Sequence, residues 1–457
     1  MDCLLYYELV ERSYENALLL KCELERRGYK VKICNLFWRD FWKCLFYRPK
    51  ILILSACRDT EQLSKQIPFL FIKRLVLVNL QEEQVAYSSG ADLDLFLPKG
   101  RAKEAHHFCW GKFSMDNMKQ AMVTDEHIVP VSPIQFDMCR REWKDYFFSR
   151  EKIAKEFSID TEKKWVLFAA DFCITSICVD EDAIKEYTRK FSDIYETTYH
   201  AEKRIQATLY EWWDRYLSTH DDVIIIYRPH PSEYRMHEFA KDLCKKHTNF
   251  IYCKKYSIKQ WLHVIDIYTT WISTSVMEAY YCDLPCFALG DSEDIVSNGI
   301  AISLFDYSKY VSTYDTFERI LDHPQEEKEA YAPLSFENVR NVYGNTSEKP
   351  AYIQMCDYLE TILKDKKLQK EMQVKLTRNE MSLGRAERWH YVWITFYNDL
   401  FYALRHILWY IIPHKRNSII KFENDLKRFD EKELREKERR IKKLLESRGK
   451  VLYGSTK

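Results

Sequence analysis

The first 140 residues alternate short apolar runs with amphipathic stretches. Between the first two runs, the spacing of Ala17, Leu20 and Leu24 predicts a helix that ends at Gly28. Apolar runs this short are typical of parallel strands that are buried on both faces. The pattern therefore predicts a doubly wound α/β domain over residues 1–145. Its strands are expected at 4–7, 31–33, 51–54, 75–78, 95–97 and 128–129.

A second alternating series follows a polar stretch at 149–164. It predicts a second doubly wound, Rossmann-like domain over residues 146–375. Two such domains in tandem, facing a cleft at the carboxyl ends of their strands, describe a GT-B-like α/β architecture. The expected strands are 165–170, 223–227, 250–253, 265–270 and 285–289, and the expected helices are 181–219, 235–247, 257–263 and 275–282.

The remaining residues, 376–457, predict a C-terminal helical extension. Within it, 389–412 form an aromatic amphipathic helix, interrupted on its polar face by Asp399 and Arg405. Charges near the middle are costly inside a bilayer, so we expect a helix at a membrane interface and not a span. Packing on the α/β domains is the alternative. Residues 414–450 carry 14 Lys/Arg and 8 Asp/Glu, which predicts a solvated helix that would also favour an anionic membrane.

Composition narrows the functional classes. The 457 residues are 46% hydrophobic and 30% charged, which is typical of globular domains, and the net charge of +1 gives no argument for nucleic acid. Only 10 glycines occur, and no glycine-rich phosphate loop is present. The start lacks the basic and apolar regions of a secretion signal, so we expect a cytoplasmic protein. The 14 cysteines are then interpreted as reduced, mostly buried hydrophobes.

The most informative chemistry follows two predicted strands of the second domain. Arg-Pro-His-Pro-Ser-Glu at 228–233 places Arg228 and His230 at one strand end, where both can hold phosphate. Ser273, Thr274 and Ser275 stand between a strand and a helix, with Glu278 one turn further. Hydroxyls there cap a helix or hold an anion, and the carboxylate can bind ribose hydroxyls. A structural loop and simple capping are the alternatives.

Carboxylates at strand ends of the first domain are candidates for a general base. Glu8 follows the first strand and is the leading candidate, and Glu82 and Glu83 follow the fourth. Solvated loop charges are the alternative interpretation. Asp137 and Asp171 rank below Glu8. No metal site and no cofactor are predicted, since Asp92 and Asp94 precede an apolar strand and His106-His107 lacks partners at ligand spacing.

Across much of residues 1–290, the chain resembles bacterial capsule and lipopolysaccharide biosynthesis proteins of GT-B type. It is similar to the Kdo and sialic acid transferases that share a His-Pro motif, and more distantly to CDP-glycerol glycerophosphotransferases. The closest matches are Arg228-Pro-His-Pro231 and Ser273-Thr-Ser followed by Glu278-Ala279. Further matches are Glu8 with Arg12, the loop 79–84, Trp110-Gly111 and the segment 131–137.

The resemblance implies that His230 and the Ser273–Ser275 turn face a donor phosphate, with Glu278 near the nucleoside, and that transfer needs no metal. Two positions depart from the family pattern, because Pro133 and Asp283 replace expected glycines. These changes alter turn conformation but remove no chemical group.

These observations predict a glycosyltransferase that moves a sugar from a nucleotide-activated donor, favouring a CMP-activated acidic sugar, to a surface-glycan acceptor. Its partners would be the nucleotide sugar, a glycan or lipid-linked glycan and, through 389–416, the inner membrane surface. One alternative is a CDP-glycerol-type polyol-phosphate transferase. Another is a non-catalytic scaffold of a surface-glycan assembly system, which would not need phosphate-binding groups at strand ends.

Overall fold

A computed structural model describes most of the two predicted α/β domains and the end of the tail. The described residues are 1–7, 13–35, 46–58, 74–82, 97–190, 194–233, 235–290, 308–331, 349–375, 393 and 431–453.

The strands and helices alternate along the chain as the apolar pattern predicted. The strands are β1 (Cys3–Tyr7), β2 (Val31–Asn35), β3 (Ile51–Leu54), β4 (Arg74–Asn79), β5 (His106–Cys109), β6 (Ile128–Pro130), β7 (Lys164–Ala169), β8 (Val223–Arg228), β9 (Phe250–Tyr252), β10 (Ile267–Thr270), β11 (Cys286–Leu289), β12 (Lys309–Val311) and β13 (Val374–Lys375). The α-helices are α1 (Glu15–Arg26), α2 (Gly111–Gln120), α3 (Arg150–Phe157), α4 (Cys173–Ile177), α5 (Glu181–Lys190), α6 (Ile194–Leu217), α7 (Glu238–Lys246), α8 (Ile258–Leu262), α9 (Val276–Tyr281), α10 (Tyr314–Asp322), α11 (Pro324–Tyr331), α12 (Ala351–Lys364), α13 (Lys366–Glu371) and α14 (Glu431–Tyr453). Short 3₁₀ helices cover Gly100–Glu104, Asp125–His127, Ile134–Cys139 and Arg141–Tyr146.

The first sheet has the order β2-β1-β3-β4-β5-β6, and these strands are parallel. The helix before β2 ends as predicted, because Gly28 has a φ of 93° and its N–H donates to the Glu25 carbonyl. The strand predicted at 95–97 is not found at Leu97, and 95–96 lie outside the described residues. The corresponding strand is β5, whose two histidines hide its apolar character in the sequence.

The second sheet has the order β12-β11-β10-β7-β8-β9, again with parallel pairing. Counted from β7, this is the Rossmann strand order, which reverses direction between β7 and β10. Ligands of such sheets bind beyond the carboxyl ends of the strands at that reversal. The topology therefore points to the residues that follow β7, β8 and β10.

The chain folds into two compact units, but the boundary between them differs from the predicted one. Among the described residues, the second unit is formed by 138–331, and those from 349 onward belong to the first unit. Helix α12, which the sequence prediction assigned to the second domain, packs against α1, and β13 pairs antiparallel with β4. The buried apolar side of α12, including Met355 and Leu359, explains this return.

Helix α14 is not the solvated helix that the charge pattern predicted. It packs against α1 with Ile441 and Leu445 buried. Lys437 lies 3.3 Å from Glu15 of α1, and Lys442 lies 2.9 Å from Glu25. Basic residues of the tail are therefore paired with acidic residues of the first unit.

No helix in the described part of the chain is both long and apolar enough to cross a bilayer. The predicted aromatic helix at 389–412 lies outside the described residues, apart from Trp393.

Candidate functional site

The carboxyl ends of β10, β7 and β8 lie side by side in the second unit. Thr270 is in register with Ala169, and Ala169 is in register with Arg228. Because neighbouring strands are about 4.8 Å apart, these three strand ends fall within about 10 Å. The residues that follow each strand are therefore brought to one edge of the sheet.

A buried carboxylate holds the turn after β8. Glu233 is 0% exposed, and its Oε1 accepts from the backbone N–H of His230 at 2.8 Å and of Phe172 at 3.3 Å. Its Oε2 accepts from the hydroxyl of Tyr227 at 3.2 Å and lies 3.3 Å from Nε2 of His237. Burial and the charge of Glu233 raise the pKa of Tyr227, so its hydroxyl stays protonated and donates. Glu233 therefore ties the turn after β8 to the segment after β7.

The half-buried His230 is fixed through its Nδ1 atom. Nδ1 accepts from the backbone N–H of Ser232 at 3.1 Å and lies 3.2 Å from Sγ of Cys173. In a neutral imidazole, the nitrogen that accepts is unprotonated, so the proton is assigned to Nε2. Nε2 makes no hydrogen bond within the part of the chain that the structure describes, which leaves it as a donor for a ligand.

Cys173 connects His230 to a carboxylate of the neighbouring strand end. Its Sγ donates to Oδ1 of Asp171 at 3.1 Å. Burial, followed by the charge of Asp171, raises the pKa of the Cys173 thiol, so the thiol is protonated. The structure thus places Asp171 beside His230, as expected of strand ends, and adds a cysteine that the sequence interpretation treated as a buried hydrophobe.

The N–H groups at the start of α4, the helix after β7, are already occupied by a side chain. The carboxyl group of Glu202, a residue of α6, accepts from the backbone N–H groups of Ile174 at 3.1 Å and Thr175 at 2.7 Å. It also accepts from the Thr175 hydroxyl at 2.6 Å. Burial raises the pKa of Glu202 to about 8 and outweighs these hydrogen bonds, which act in the opposite direction. In many Rossmann folds a phosphate uses the N–H groups of this first helix, but here a side chain does so.

Arg228 and two other residues of the predicted donor site, Thr274 and Glu278, differ in exposure. Arg228 is buried at the end of β8, and its Nη2 donates to the carbonyl of Tyr256 at 3.2 Å. Thr274 is exposed and Glu278 is half-buried on α9. The guanidinium therefore braces the loop after β9 as well as lying near the strand ends.

The Ser273–Ser275 turn is organised by hydroxyl contacts. Thr270 Oγ1 accepts from the N–H of Ser273, and Ser273 Oγ accepts from the N–H of Ser275. The hydroxyl of Ser275 lies 2.8 Å from that of Ser273 and 2.7 Å from that of Tyr268. The alternative interpretation, simple capping, does not hold for Ser275, because its side chain accepts no hydrogen bond from the start of α9. The hydroxyls of Ser273 and Ser275 form a pair at the sheet edge instead.

In the first unit, Glu82 is a buried member of the loop after β4. Its Oε1 accepts from Nδ2 of Asn16 at 3.1 Å, its N–H donates to the carbonyl of Ser55, and its own carbonyl accepts from Gln135. These contacts join three segments of the unit. The other two predicted base positions, Glu8 and Glu83, lie outside the described residues.

The same loop is anchored by a neutral histidine. Asn79 Nδ2 contacts His107 Nδ1 at 2.9 Å, and His107 Nε2 contacts the carbonyl of Ala102 at 2.9 Å. The second contact requires a proton on Nε2, so Nδ1 accepts from Asn79. Burial lowers the pKa of His107 to about 3, which keeps the ring neutral.

Asp137 has a structural position. Its two oxygens accept from the backbone N–H groups of Ala351 at 2.8 Å and Tyr352 at 2.7 Å. Asp137 therefore caps the first turn of α12, the helix that returns to the first unit. The sequence ranks Asp137 among the weaker base candidates, and these two contacts occupy both of its oxygens.

Asp283 occupies a backbone conformation that normally favours glycine. Its φ of 63° is left-handed, and its carboxylate lies 2.6 Å from Nζ of Lys328. The turn at Asp283 therefore has a backbone conformation that glycine adopts readily, although a side chain is present there.

No protein-family model and no curated protein matches the sequence. Solved structures do match in fold. Staphylococcus aureus MnaA in complex with UDP aligns with a TM-score of 0.51 at 11% identity, over 79% of this chain and 97% of that one. The wall teichoic acid polymerase TagF aligns with a TM-score of 0.50 at 11% identity, over 79% and 89%. The chain has the two-unit, Rossmann-like GT-B fold of these proteins.

Sequence reasoning missed Glu233, Glu202 and Cys173. Glu233 had a signal, because it ends the segment 228–233 that drew attention to His230. Glu202 had none, since an acidic residue in a long helix is ordinarily exposed.

Proposed function

We propose that the protein is a transferase that uses a nucleotide-activated donor, and that the donor phosphate binds at the carboxyl edge of the second sheet. The observation that carries this proposal is the fixed orientation of His230. Glu233 holds the backbone of its turn, and Ser232 occupies Nδ1, so Nε2–H is presented as a donor. This happens beside the strand reversal where Rossmann folds bind ligands.

The proposed chemistry is charge stabilisation at the leaving phosphate. Nε2–H of His230 and the hydroxyls of Ser273 and Ser275 would donate to phosphate oxygens as negative charge develops. The guanidinium of Arg228 adds positive charge nearby. Because Glu202 occupies the N–H groups of α4, the phosphate would lie towards β8 and β10 and away from that helix.

The remaining roles are hypotheses from sequence. Glu278 would bind the ribose, Thr274 would complete the donor turn, and Glu8 would act as general base, with Glu82 and Glu83 next. We favour a CMP-activated acidic sugar as donor, a surface glycan as acceptor and a transfer that needs no metal. The fold likeness to TagF and MnaA is consistent with such an enzyme.

A polyol-phosphate transferase is the second candidate. TagF, which shares the fold, has been solved after soaking with CDP-glycerol. Both reactions would use the same phosphate-binding edge, but their products differ. A sugar transferase leaves a glycosidic bond, whereas a polyol-phosphate transferase leaves a phosphodiester. The product mass separates the two.

Thermal shift of the purified full-length chain tests the proposal. It should be measured with CMP, CDP, UDP, UMP and GDP in the presence of EDTA. A ligand that binds only the folded state stabilises it by mass action and so raises the melting temperature. At a ligand concentration a hundred times Kd, the free energy of unfolding rises by about 2.7 kcal/mol. We expect one nucleotide to stabilise the wild type.

The matched variants are His230→Ala and His200→Ala. His200 lies on α6 with 45% of its side chain exposed and serves as the control, so only His230→Ala should lose the shift. If no nucleotide stabilises the wild type at millimolar concentration, the transferase proposal is wrong and the scaffold alternative gains weight. The membrane role expected of 389–416 is a separate question, which vesicle flotation of the full chain against a chain ending at residue 385 would answer.

A further inference from the structure

Three side chains with metal-binding atoms converge next to the proposed phosphate position. Sγ of Cys173 lies 3.1 Å from Oδ1 of Asp171 and 3.2 Å from Nδ1 of His230. The three ligand atoms all lie within 4.8 Å of one another, and each residue is half-buried. In the part of the chain that the structure describes, no other group of three or more His, Cys, Asp or Glu residues gathers in this way.

The spacing of these atoms suits one small metal ion. Zinc bonds of about 2.0–2.3 Å in tetrahedral geometry place ligand atoms about 3.5 Å apart. The two separations of 3.1 and 3.2 Å are close to this value, and the third is no more than 4.8 Å. A small rotation of the Asp171 carboxylate or the imidazole would complete the arrangement.

The ligand types select the class of ion. A thiolate, an imidazole and a carboxylate together suit Zn²⁺ and its neighbours among the transition metals. Mg²⁺ and Ca²⁺ prefer oxygen ligands throughout, so a site with sulfur and nitrogen is poorly suited to them. Three protein ligands also leave a fourth position open, as in zinc sites that bind water or a substrate.

We propose that Asp171, Cys173 and His230 bind a divalent transition-metal ion of the Zn²⁺ class through a carboxylate oxygen, Sγ and Nδ1. The fourth position of this ion would face the open side of the cluster. The proposal shares His230 with the proposed donor site but does not depend on nucleotide binding.

Binding has a defined chemical balance. The metal–sulfur bond forms as the thiol proton leaves to solvent. The metal takes the Nδ1 lone pair, so the Ser232 N–H gives up its hydrogen bond to that atom. The Nε2–H of His230 is kept, and a metal on Nδ1 therefore remains compatible with a phosphate on Nε2.

Cobalt(II) titration of the full-length, tag-free chain tests the site without nucleotide. A cobalt–thiolate bond gives a near-ultraviolet charge-transfer band, and tetrahedral geometry gives intense visible bands. We expect one equivalent of Co²⁺ to produce both in the wild type. Zn²⁺ should abolish them, and excess Mg²⁺ should not.

The variants are Cys173→Ser and, as the matched control, Cys244→Ser. Cys244 is also half-buried in the second unit but lies on α7. Cys173→Ser should lose the charge-transfer band and bind Co²⁺ about a hundredfold more weakly. Loss of a residue that only hydrogen-bonds to a metal ligand already lowers metal affinity by about 10- to 100-fold. Cys244→Ser should match the wild type.

The outcomes separate this proposal from the transferase proposal. No band in the wild type, or a full band in Cys173→Ser, would overturn the metal site, whatever the nucleotide results in EDTA. A band that requires Cys173, without any nucleotide shift in EDTA, would support the metal site and contradict the donor site.

Discussion

Both units place polar side chains at the carboxyl ends of their strands, but the two edges use them differently. In the first unit, Asn79 and His107 hydrogen-bond to each other, and Glu82 accepts from Asn16 of α1. In the second unit, Glu233 accepts from the backbone N–H of His230, and Nε2 of His230 has no hydrogen-bond partner among the described residues.

Polar residues at a strand end therefore do not by themselves indicate chemistry. What matters is which polar atoms remain after the surrounding hydrogen bonds are counted. A buried acid whose partners are backbone N–H groups stabilises a loop, as Asp137 does for α12. The same type of acid can also hold a neighbouring side chain ready for a ligand, as Glu233 does for His230.

The largest expected effect comes from Glu233→Ala. The variant leaves the N–H groups of His230 and Phe172 and the hydroxyl of Tyr227 without their acceptor, which is itself fully buried. At about 1–3 kcal/mol for each of the three unsatisfied groups, the free energy of unfolding should fall by at least about 3 kcal/mol. The nucleotide-induced thermal shift should also disappear, because the turn that orients His230 is released. Urea titration and thermal shift measure the two effects.

Two controls make this test specific. Asp137→Ala also removes a buried carboxylate from two backbone N–H groups, at a cost of about 0.5–2 kcal/mol for a lost cap, but it lies in the first unit and should keep the nucleotide shift. Glu238→Ala removes an exposed acid near Glu233 and should change neither quantity measurably. A full nucleotide shift in a folded Glu233→Ala protein would show that Glu233 does not position His230.

The two units should respond to pH in opposite directions. Glu202 has a pKa raised from 4.5 to about 8 by burial, so between these values the folded state keeps a proton that the unfolded chain loses. Stability of the second unit therefore falls as pH rises through this window. His107 has a pKa lowered from 6.5 to about 3 by burial, so the unfolded chain gains a proton first as pH falls. Stability of the first unit therefore falls with falling pH below 6.5.

Hydrogen exchange, corrected for its intrinsic pH dependence, measures these responses strand by strand. Between pH 5 and 8.5, the amides of β7 should lose protection on the order of 4 kcal/mol, and those of β5 should not. Glu202→Gln removes the titrating group and should flatten the response of β7. An unchanged slope in that variant would assign the pH dependence to another group.

Most strands were predictable because buried parallel strands are apolar throughout. Strand β5 was missed for the opposite reason, since His106 and His107 are polar in the sequence but buried in the sheet. The return of α12 to the first unit was missed because an amphipathic pattern shows that a helix has an apolar face but does not show which domain that face packs against. Helix α14 was taken as solvated because its charges outnumber its apolar residues.

The candidate site was predictable only in part. The segments after β8 and β10 were found because they contain unusual local motifs. The cluster of Asp171, Cys173 and His230 was not found, because His230 lies 57 residues from Cys173 along the chain. Only the register of β7 with β8 brings these groups together, and no spacing rule encodes that pairing.

The smallest expected effect concerns the surface charges that hold α14 on the first unit. Lys442 lies 2.9 Å from Glu25 and 2.7 Å from Glu438, but it is 41% exposed, so solvent screens both pairs. Lys442→Ala should therefore weaken the protection of α14 amides by only about 0.5 kcal/mol, while buried Ile441 keeps the helix in place.

The matched control is Lys443→Ala, an exposed neighbour with the same change in helix propensity. In hydrogen exchange at low salt the two variants should differ, and at about 1 M NaCl the difference should vanish because the Debye length shrinks to about 3 Å. Equal protection at low salt would mean that the ion pairs of Lys442 do not help to attach α14 to α1.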